Sequence, residues 1–343
     1  MKFFRENIWA DGEYDYRAAY GFVPNIHAYL HEDGIQRDCM IVVPGGGYCM
    51  CVPSEAQVPA MEFFDRGMNV FVLSYTTDIT MSVPLGAQPM NDAARAVRFI
   101  RSRASRYEIE GKKIIMCGFS AGAHVIGSLA VHFNDIVDPN PAYEKISARP
   151  DGVILSYPVI TTGEFTHIYS VWALVGKNAS EKEKEYFSLE KQVTGDMPPC
   201  FIWQTDNDNL VPVENSFLFA KALREKKVPY SLHIFPSGFH GLSVPNEDFF
   251  KGNFPDFTME QVKLAVEAVK EGRGIDVSPE RVKELKEQFP DPLPEQENDP
   301  SDFTEEKDSG EEEEKPLFTG DPLKLFSDVR LWPELAFEWL KKL

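Results

Sequence analysis

The sequence predicts an α/β protein with a doubly wound, mostly parallel sheet, and three observations carry that prediction. Short apolar runs of strand length recur at residues 40–43, 69–74, 113–117, 152–156, 200–204 and 230–235. Segments with helical spacing of apolar residues lie between them, at 91–104, 123–133 and 213–226. A helix between successive strands is a crossover, and crossovers join parallel strands. Third, the segments that leave these strands are rich in Gly, Ser, Asp and His, as expected of functional loops at the carboxyl edge of such a sheet. A chain of 343 residues is long enough to build this as a single domain spanning 1–343.

In chain order, residues 24–31 and 40–43 read as a strand pair. The second runs into Pro44-Gly45-Gly46-Gly47-Tyr48. Three glycines after an early strand let backbone approach a ligand and turn amides toward it. No Gly-Lys-Ser/Thr follows and no Gly-x-Gly-x-x-Gly is formed, so an oxyanion loop is favoured over a phosphate cradle or a plain turn. Residues 69–74 form the next buried strand. In 91–104, Ala93, Ala96, Val97 and Ile100 share one helix face, with Asn91 or Asp92 placed to cap it.

The strand at 113–117 then meets Gly118-Phe119-Ser120-Ala121-Gly122, followed by a helix. A serine between two glycines at a strand-to-helix turn is a nucleophile elbow: the sharp turn lifts the hydroxyl clear of the sheet edge. Gly118 and Gly122 remove Cβ atoms where strand and helix close on each other. The Ala121 amide, at the helix N-terminus, is placed to donate to a developing oxyanion, with Gly46 or Gly47 as the second donor. The competing reading is an ordinary glycine turn.

An elbow needs a base and an orienting acid downstream. The strand at 200–204 opens into Asp206-Asn207-Asp208-Asn209-Leu210-Val211-Pro212. Asp208 is the chosen acid because Asp-x-x-Val-Pro is the usual form of this loop, and Asp206 reads as a turn-former. After a helix at 213–226 and the strand at 230–235, His240 lies beside Gly238 and Gly241. It is well placed as general base toward Ser120, with Asp208 holding its tautomer. Of the other histidines, His233 reads as a packed sheet residue, and His27 and His31 as solvent-facing on an early strand. His132 sits near a helix end, where the dipole favours a cation, and His124 reads as bonded locally. His167, on a loop between elbow and acid, is a candidate for substrate contact, as are Tyr48, Phe119 and Phe239. No pair has metal-ligand spacing and no Cys-x-x-Cys occurs, so neither a metal nor a cofactor is expected.

With these loops in order, the chain resembles an α/β-hydrolase of the esterase type. More narrowly, it is similar to the acetyl-xylan-esterase-like carbohydrate esterases of the BD-FAE type. The resemblance rests on Pro44-Gly45-Gly46-Gly47-Tyr48, on Gly118-Phe119-Ser120-Ala121-Gly122-Ala123-His124, on Pro198-Pro199 and on Val211-Pro212-Val213-Glu214-Asn215-Ser216. It extends through the loop from His233 to Leu242 and a closing helix near Trp332. It implies acyl-ester hydrolysis, with carbohydrate O-acetyl groups as the substrate class. Pro44 stands where lipase-type relatives carry histidine, which argues against that branch. Roughly eighty residues separate His240 from the closing helix, more than the family pattern needs.

The expected enzyme is therefore a serine esterase acting through an acyl-enzyme, with short acyl groups favoured. A peptidase or arylformamidase on the same fold is the enzymatic rival, and a non-catalytic binding protein on a hydrolase scaffold is the rival from another class. The net charge of −19 argues against nucleic acid and anionic membrane surfaces as partners, and a small-molecule or oligosaccharide ester is the expected substrate. The oligomeric state is open, a homo-oligomer included. Five scattered cysteines suggest reduced thiols. The first eight residues lack the apolar core and cleavage site of a leader, and no run reaches membrane-spanning length, so a cytoplasmic protein is expected.

Residues 246–325 read as an insertion. Thr258-x-x-Gln261 predicts a capping box before a helix to residue 271, and Ser278-Pro279 a second helix to 288. The Pro-, Asp- and Glu-rich stretch 290–315 is expected to be mobile. The favoured role is a solvated surface excursion, ahead of a helical lid or an oligomer contact. Residues 326–343 close the domain with a helix.

Overall fold

The computed structural model describes residues 1–290 and 320–343. Its frame is an eight-stranded sheet of β1 (Lys2–Asn7), β2 (Asn25–Leu30), β3 (Cys39–Val43), β4 (Asn69–Ser74), β5 (Ile114–Phe119), β6 (Gly152–Ser156), β7 (Cys200–Thr205) and β8 (Tyr230–Phe235). The spatial order is β1-β2-β4-β3-β5-β6-β7-β8. Strands β3 to β8 are parallel, and β2 runs antiparallel to both β1 and β4.

Two features of the sheet depart from expectation. The edge strand β1 has no apolar run to announce it; its alternation of exposed and half-buried residues is that of a strand covered on one face. The segments at 24–31 and 40–43 do not pair with each other, because β4 lies between them. The helix Gln57–Asp65 carries the chain from β3 to a parallel β4 beside it, and β2 then adds in reverse to the free edge of β4.

The central strands are apolar throughout because both faces of the sheet are covered. Alternate residues diverge: Ile41, Val43, Val153 and Leu155 join a core with the helices Gln88–Ser102, Ala121–His132 and Glu214–Glu225. Met40, Val42 and Ile154 join one on the other side with Gln57–Asp65 and the closing helix Trp332–Leu340. Trp332 anchors that second face, stacked on Trp203 with ring centroids 5.1 Å apart. Its indole N–H donates to the Ser243 carbonyl at 2.8 Å, tying the closing helix to the loop that carries His240.

Asp92 does not cap its helix, which starts earlier, with Pro89 in its first turn. Asp92 is buried inside it, accepting from Trp9 Nε1, Thr76 N and Gln88 Nε2 at 2.8, 2.8 and 2.7 Å. Burial pushes its carboxyl up to about 6 against those bonds. Thr258 and Gln261 likewise form no capping box. The Thr258 hydroxyl donates to the Cys51 carbonyl, and the Gln261 amide pairs with Thr77 N and O.

Those bonds help dock the two described helices of the insertion onto the body, so this part of it is packed rather than a solvated excursion. The helices Glu260–Lys270 and Pro279–Gln288 bury Val262, Val266, Val269 and Leu285 against Ile79, with Cys49 and Met50 packed alongside. A helix pair whose apolar face meets a neighbouring apolar patch stays there for the same reason any core forms. The pair therefore stands directly behind the segment that continues the Gly45–Gly47 loop. Residues 291–319, which include nearly all of the acidic stretch expected to be mobile, lie outside the described residues. No helix among the described residues is long and apolar enough to cross a membrane.

The elbow glycines are explained by close approach. A Cβ on Gly118 would lie 2.5 Å from the Gly122 carbonyl oxygen, within the turn itself. One on Gly122 would lie 2.2 Å from the Val43 and 2.4 Å from the Pro44 carbonyl oxygen, so this glycine seats the helix against the neighbouring strand and loop. Backbone cannot yield as a side-chain tip does. Gly122→Ala is expected to cost about 1–3 kcal/mol as an overpacked contact, measured by urea unfolding; an unchanged midpoint and slope would show that the contact is tolerated.

Candidate active site

Ser120 sits at the turn from β5 into the helix Ala121–His132 with φ 49° and ψ −117°. That left-handed backbone is costly for a side-chain-bearing residue. It is held by the Ser120 N–H donating to the Ser156 carbonyl at 3.0 Å, while the Ser120 carbonyl accepts from His124 N at 3.1 Å. The strain aims Oγ out of the sheet edge, toward the loop after β8.

There it meets His240. The imidazole Nε2 lies 2.8 Å from Ser120 Oγ, and Nδ1 lies 2.8 and 3.1 Å from the two carboxylate oxygens of Asp208. A carboxylate only accepts, so Nδ1 carries the proton and Nε2 is left to accept from the serine hydroxyl. Asp208 is fixed in turn by the N–H groups of Leu210 and Val211, at 3.0 and 2.9 Å on Oδ1. Three side chains from the loops after β5, β7 and β8 thus form one hydrogen-bonded line. Asp206 is exposed at the start of its loop and is not in it.

The loop after β3 closes over the serine. A Cβ on Gly45 would lie 2.6 Å from the Phe119 carbonyl oxygen and 2.9 Å from Ser120 Cβ, so only glycine allows this approach. The Gly45 N–H is already spent, donating to Glu55 Oε2 at 2.6 Å. That leaves Gly46 and Gly47 as the loop's candidate oxyanion donors, and Ala121, first in its helix, has no intrahelical partner for its N–H. His167 stands opposite: its Cε1 lies 3.9 Å from the position of a Gly47 Cβ, and its Nδ1 bonds Ser170 Oγ at 2.7 Å. Burial, then the nearby His240, push the His167 imidazole down to about 4, with Asp208 opposing, so it is neutral near pH 7.

Two of the aromatic residues expected to contact substrate do not line this space. Phe119 is 0% exposed, its ring packed on Tyr157 and Trp332 beneath the sheet edge. Tyr48 is 1% exposed, and its hydroxyl donates to His124 Nδ1 at 2.6 Å. Both lie where strand alternation or the glycine loop turns a large ring into the core. Phe239 is half-buried and edge-on to Phe326 in the C-terminal segment.

The minor histidines also shift. His124 bridges Tyr48 to the Phe187 carbonyl, which accepts from Nε2 at 2.9 Å, a long-range link rather than a local one. His27 is buried against Phe257 at 4.1 Å, where the missed strand β1 and the insertion cover it, and His31 is half-buried, stacked on Phe64 at 4.0 Å. His132 stacks on Tyr186, and His233 on Phe201.

Three contributors carried no sequence signal strong enough to single them out. Asn207 and Asn209 hold the histidine loop, their side-chain carbonyls accepting from Gly238 N at 2.9 Å and His240 N at 3.0 Å. The third is Glu55, 3% exposed, which joins the glycine loop to Tyr157. Alternate Asn at 207 and 209 around an acid is a weak cue; Glu55 offers none, since an isolated glutamate reads as surface. Among the described residues no group of three or more His, Cys, Asp or Glu side chains is arranged to hold a metal.

Comparison with known proteins places this geometry. The BD-FAE family model matches residues 28–223. The chain is 63% identical over 270 residues to endo-1,4-beta-xylanase B of Butyrivibrio fibrisolvens, covering 78% of this chain and 42% of that protein. It is 30% identical over 210 residues to an acetylxylan esterase of Xylanibacter ruminicola, covering 59% and 40% respectively. The chain thus spans about two fifths of the length of these curated relatives. Among solved structures it resembles an acetyl ester-xyloside bifunctional hydrolase from Caldicellulosiruptor lactoaceticus, with TM-score 0.66, 32% identity, and 79% of this chain matched to 97% of that one.

Proposed function

Because this chain belongs to the BD-FAE family of the α/β-hydrolase fold, we propose that it is a serine carboxylic-ester hydrolase that removes short acyl groups, acetyl foremost, from carbohydrate or xylo-oligosaccharide substrates. The observation that carries this reading is the unbroken line from Ser120 Oγ through His240 to Asp208, at 2.8 Å in each step, beside the glycine loop. The substrate class is supported by the relatives, whose names include acetylxylan esterase and acetyl ester-xyloside hydrolase.

In this mechanism Ser120 Oγ attacks the ester carbonyl carbon as its proton passes to His240 Nε2. The carbonyl electron pair moves onto oxygen, where the Ala121 amide and that of Gly46 or Gly47 donate to it. Asp208 stabilises the imidazolium without taking its proton. Collapse breaks the carbon–oxygen bond to the sugar, and His240 protonates the departing alcohol. Water then attacks the acyl-serine by the same route, releasing the acid and restoring Ser120. Neutral His167, with Nδ1 engaged by Ser170, has Nε2 to offer a sugar hydroxyl beside the glycine loop.

The test is a deacetylation screen of acetylated xylo-oligosaccharides with a series of 4-nitrophenyl esters from acetate to octanoate. Turnover of the acetylated sugars and a fall of about tenfold or more in kcat/KM from acetate to octanoate are expected, equivalent to about 1.4 kcal/mol of transition-state discrimination. A preference for octanoate contradicts the short-acyl reading, and faster cleavage of N-formyl or peptide amides than of esters replaces it with the amidase alternative.

A further inference from the structure

Glu55 ends the single turn Pro53–Glu55 that follows the glycine loop, and its side chain is buried. Its two oxygens each have one donor. Oε2 accepts from Gly45 N at 2.6 Å, and Oε1 accepts from the Tyr157 hydroxyl at 2.6 Å. The Tyr157 oxygen itself accepts from Ser243 N at 3.1 Å, in the loop after His240, so its own proton goes to Glu55. The Tyr157 ring meets the His240 imidazole edge to face, with centroids 5.0 Å apart. Two donors on two oxygens is the pattern of an ionised carboxylate; a neutral acid or amide offers a second proton where an acceptor is required.

We propose that Glu55 is a positioning residue of the reaction, its carboxylate fastening the oxyanion loop at Gly45 and the histidine loop through Tyr157, and placing a negative charge behind His240. This rests on the hydrolase reading above. Burying a carboxylate is expensive unless hydrogen bonds and a counter-charge compensate. Burial holds the Glu55 carboxyl above its ordinary value, opposed by the Tyr157 and Gly45 bonds and the charge of His240, so it is the two-donor geometry that marks it as the anion. Its other titratable neighbours, Tyr75, Cys51 and Cys117, are pushed up by burial and stay neutral. His240 faces Asp208, Ser120, Tyr157 and the neutral His167. The imidazolium formed during each half-reaction is therefore opposed by two carboxylates, one in contact and one behind a tyrosine.

Glu55→Gln tests this in the full chain. It is expected to lower kcat for 4-nitrophenyl acetate by about ten- to a hundredfold with KM within about twofold, as the oxyanion loop loses its fastening. Loss of the charge destabilises the imidazolium, so the acid limb of kcat/KM moves to lower pH. The NMR titration midpoint of the His240 imidazole falls with it, by about half a pH unit or more. A purely structural role does not move that midpoint, and an unmoved midpoint overturns the proposal whatever happens to turnover. Tyr157→Phe, which keeps the charge and is the milder change, should lower kcat without lowering the midpoint. Wild-type kcat in this variant overturns the link to the histidine loop, including where Glu55→Gln fails to fold. If the unmodified protein cleaves no ester, the hydrolase reading fails, while the His240 titration still decides the role of Glu55.

Discussion

Ser120→Ala is expected to lower kcat for an aryl acetate by about five to six orders of magnitude, the scale on which removing the nucleophilic serine acts in known serine hydrolases. The size follows from the chemistry: without Oγ no acyl-enzyme forms, and the rest of the site retains only oxyanion stabilisation and binding. Stability should hardly change. Alanine inherits the backbone conformation at φ 49° and removes one oxygen whose hydrogen-bond partner, His240, stays bonded to Asp208. The measurement pairs 4-nitrophenyl acetate turnover and fluorophosphonate labelling with thermal unfolding. Near-normal turnover by a folded Ser120→Ala protein would falsify the nucleophile assignment. Labelling lost together with turnover separates an enzyme from a binding protein built on the same scaffold.

The second large effect is a contrast between two neighbouring acids. Asp208→Asn should lower kcat by about four orders of magnitude, by the tautomer argument established for serine proteases. An asparagine there keeps one carbonyl oxygen for the Leu210 and Val211 amides, so the loop is retained. Its NH2 group, placed against His240 Nδ1, donates instead of accepting. The imidazole proton then moves to Nε2, which no longer accepts from Ser120. Asp206→Asn lacks this route, because Asp206 is exposed and outside the hydrogen-bonded line; its effect should stay within about threefold. Steady-state kinetics of the two variants decide the matter, and the reverse ranking overturns the choice of Asp208.

Much of this site is readable from local sequence because each part is announced by a short signal. Gly118, Ser120 and Gly122 lie within one turn, where backbone clearance demands glycine. Asp208 and His240 each follow a strand-length apolar run, and loops after parallel strands lie on one edge of the sheet. Residues without such a signal were missed or misplaced. Glu55, Asn207 and Asn209 act on backbone amides of distant loops, and nothing in their own neighbourhood reveals those partners. Tyr48 and Phe119 flank functional glycines, and proximity in sequence suggested proximity to substrate; side-chain direction sent both into the core. The helix pair behind the glycine loop has an apolar stripe that demands a partner but does not say which surface provides it.

The order of the loops and the chemistry of the three side chains at 120, 208 and 240 belong to the sequence alone. Spacing along the chain, glycine placement and strand periodicity are local properties that survive without coordinates. Which strands neighbour which, which aromatic rings are buried, and that a glutamate lies beneath the imidazole were decided only in the tertiary structure. Those facts depend on contacts between residues distant in sequence, from Cys39 beside Asn69 to Glu55 bonded to Tyr157, and such contacts exist only once the chain has folded its strands and loops together.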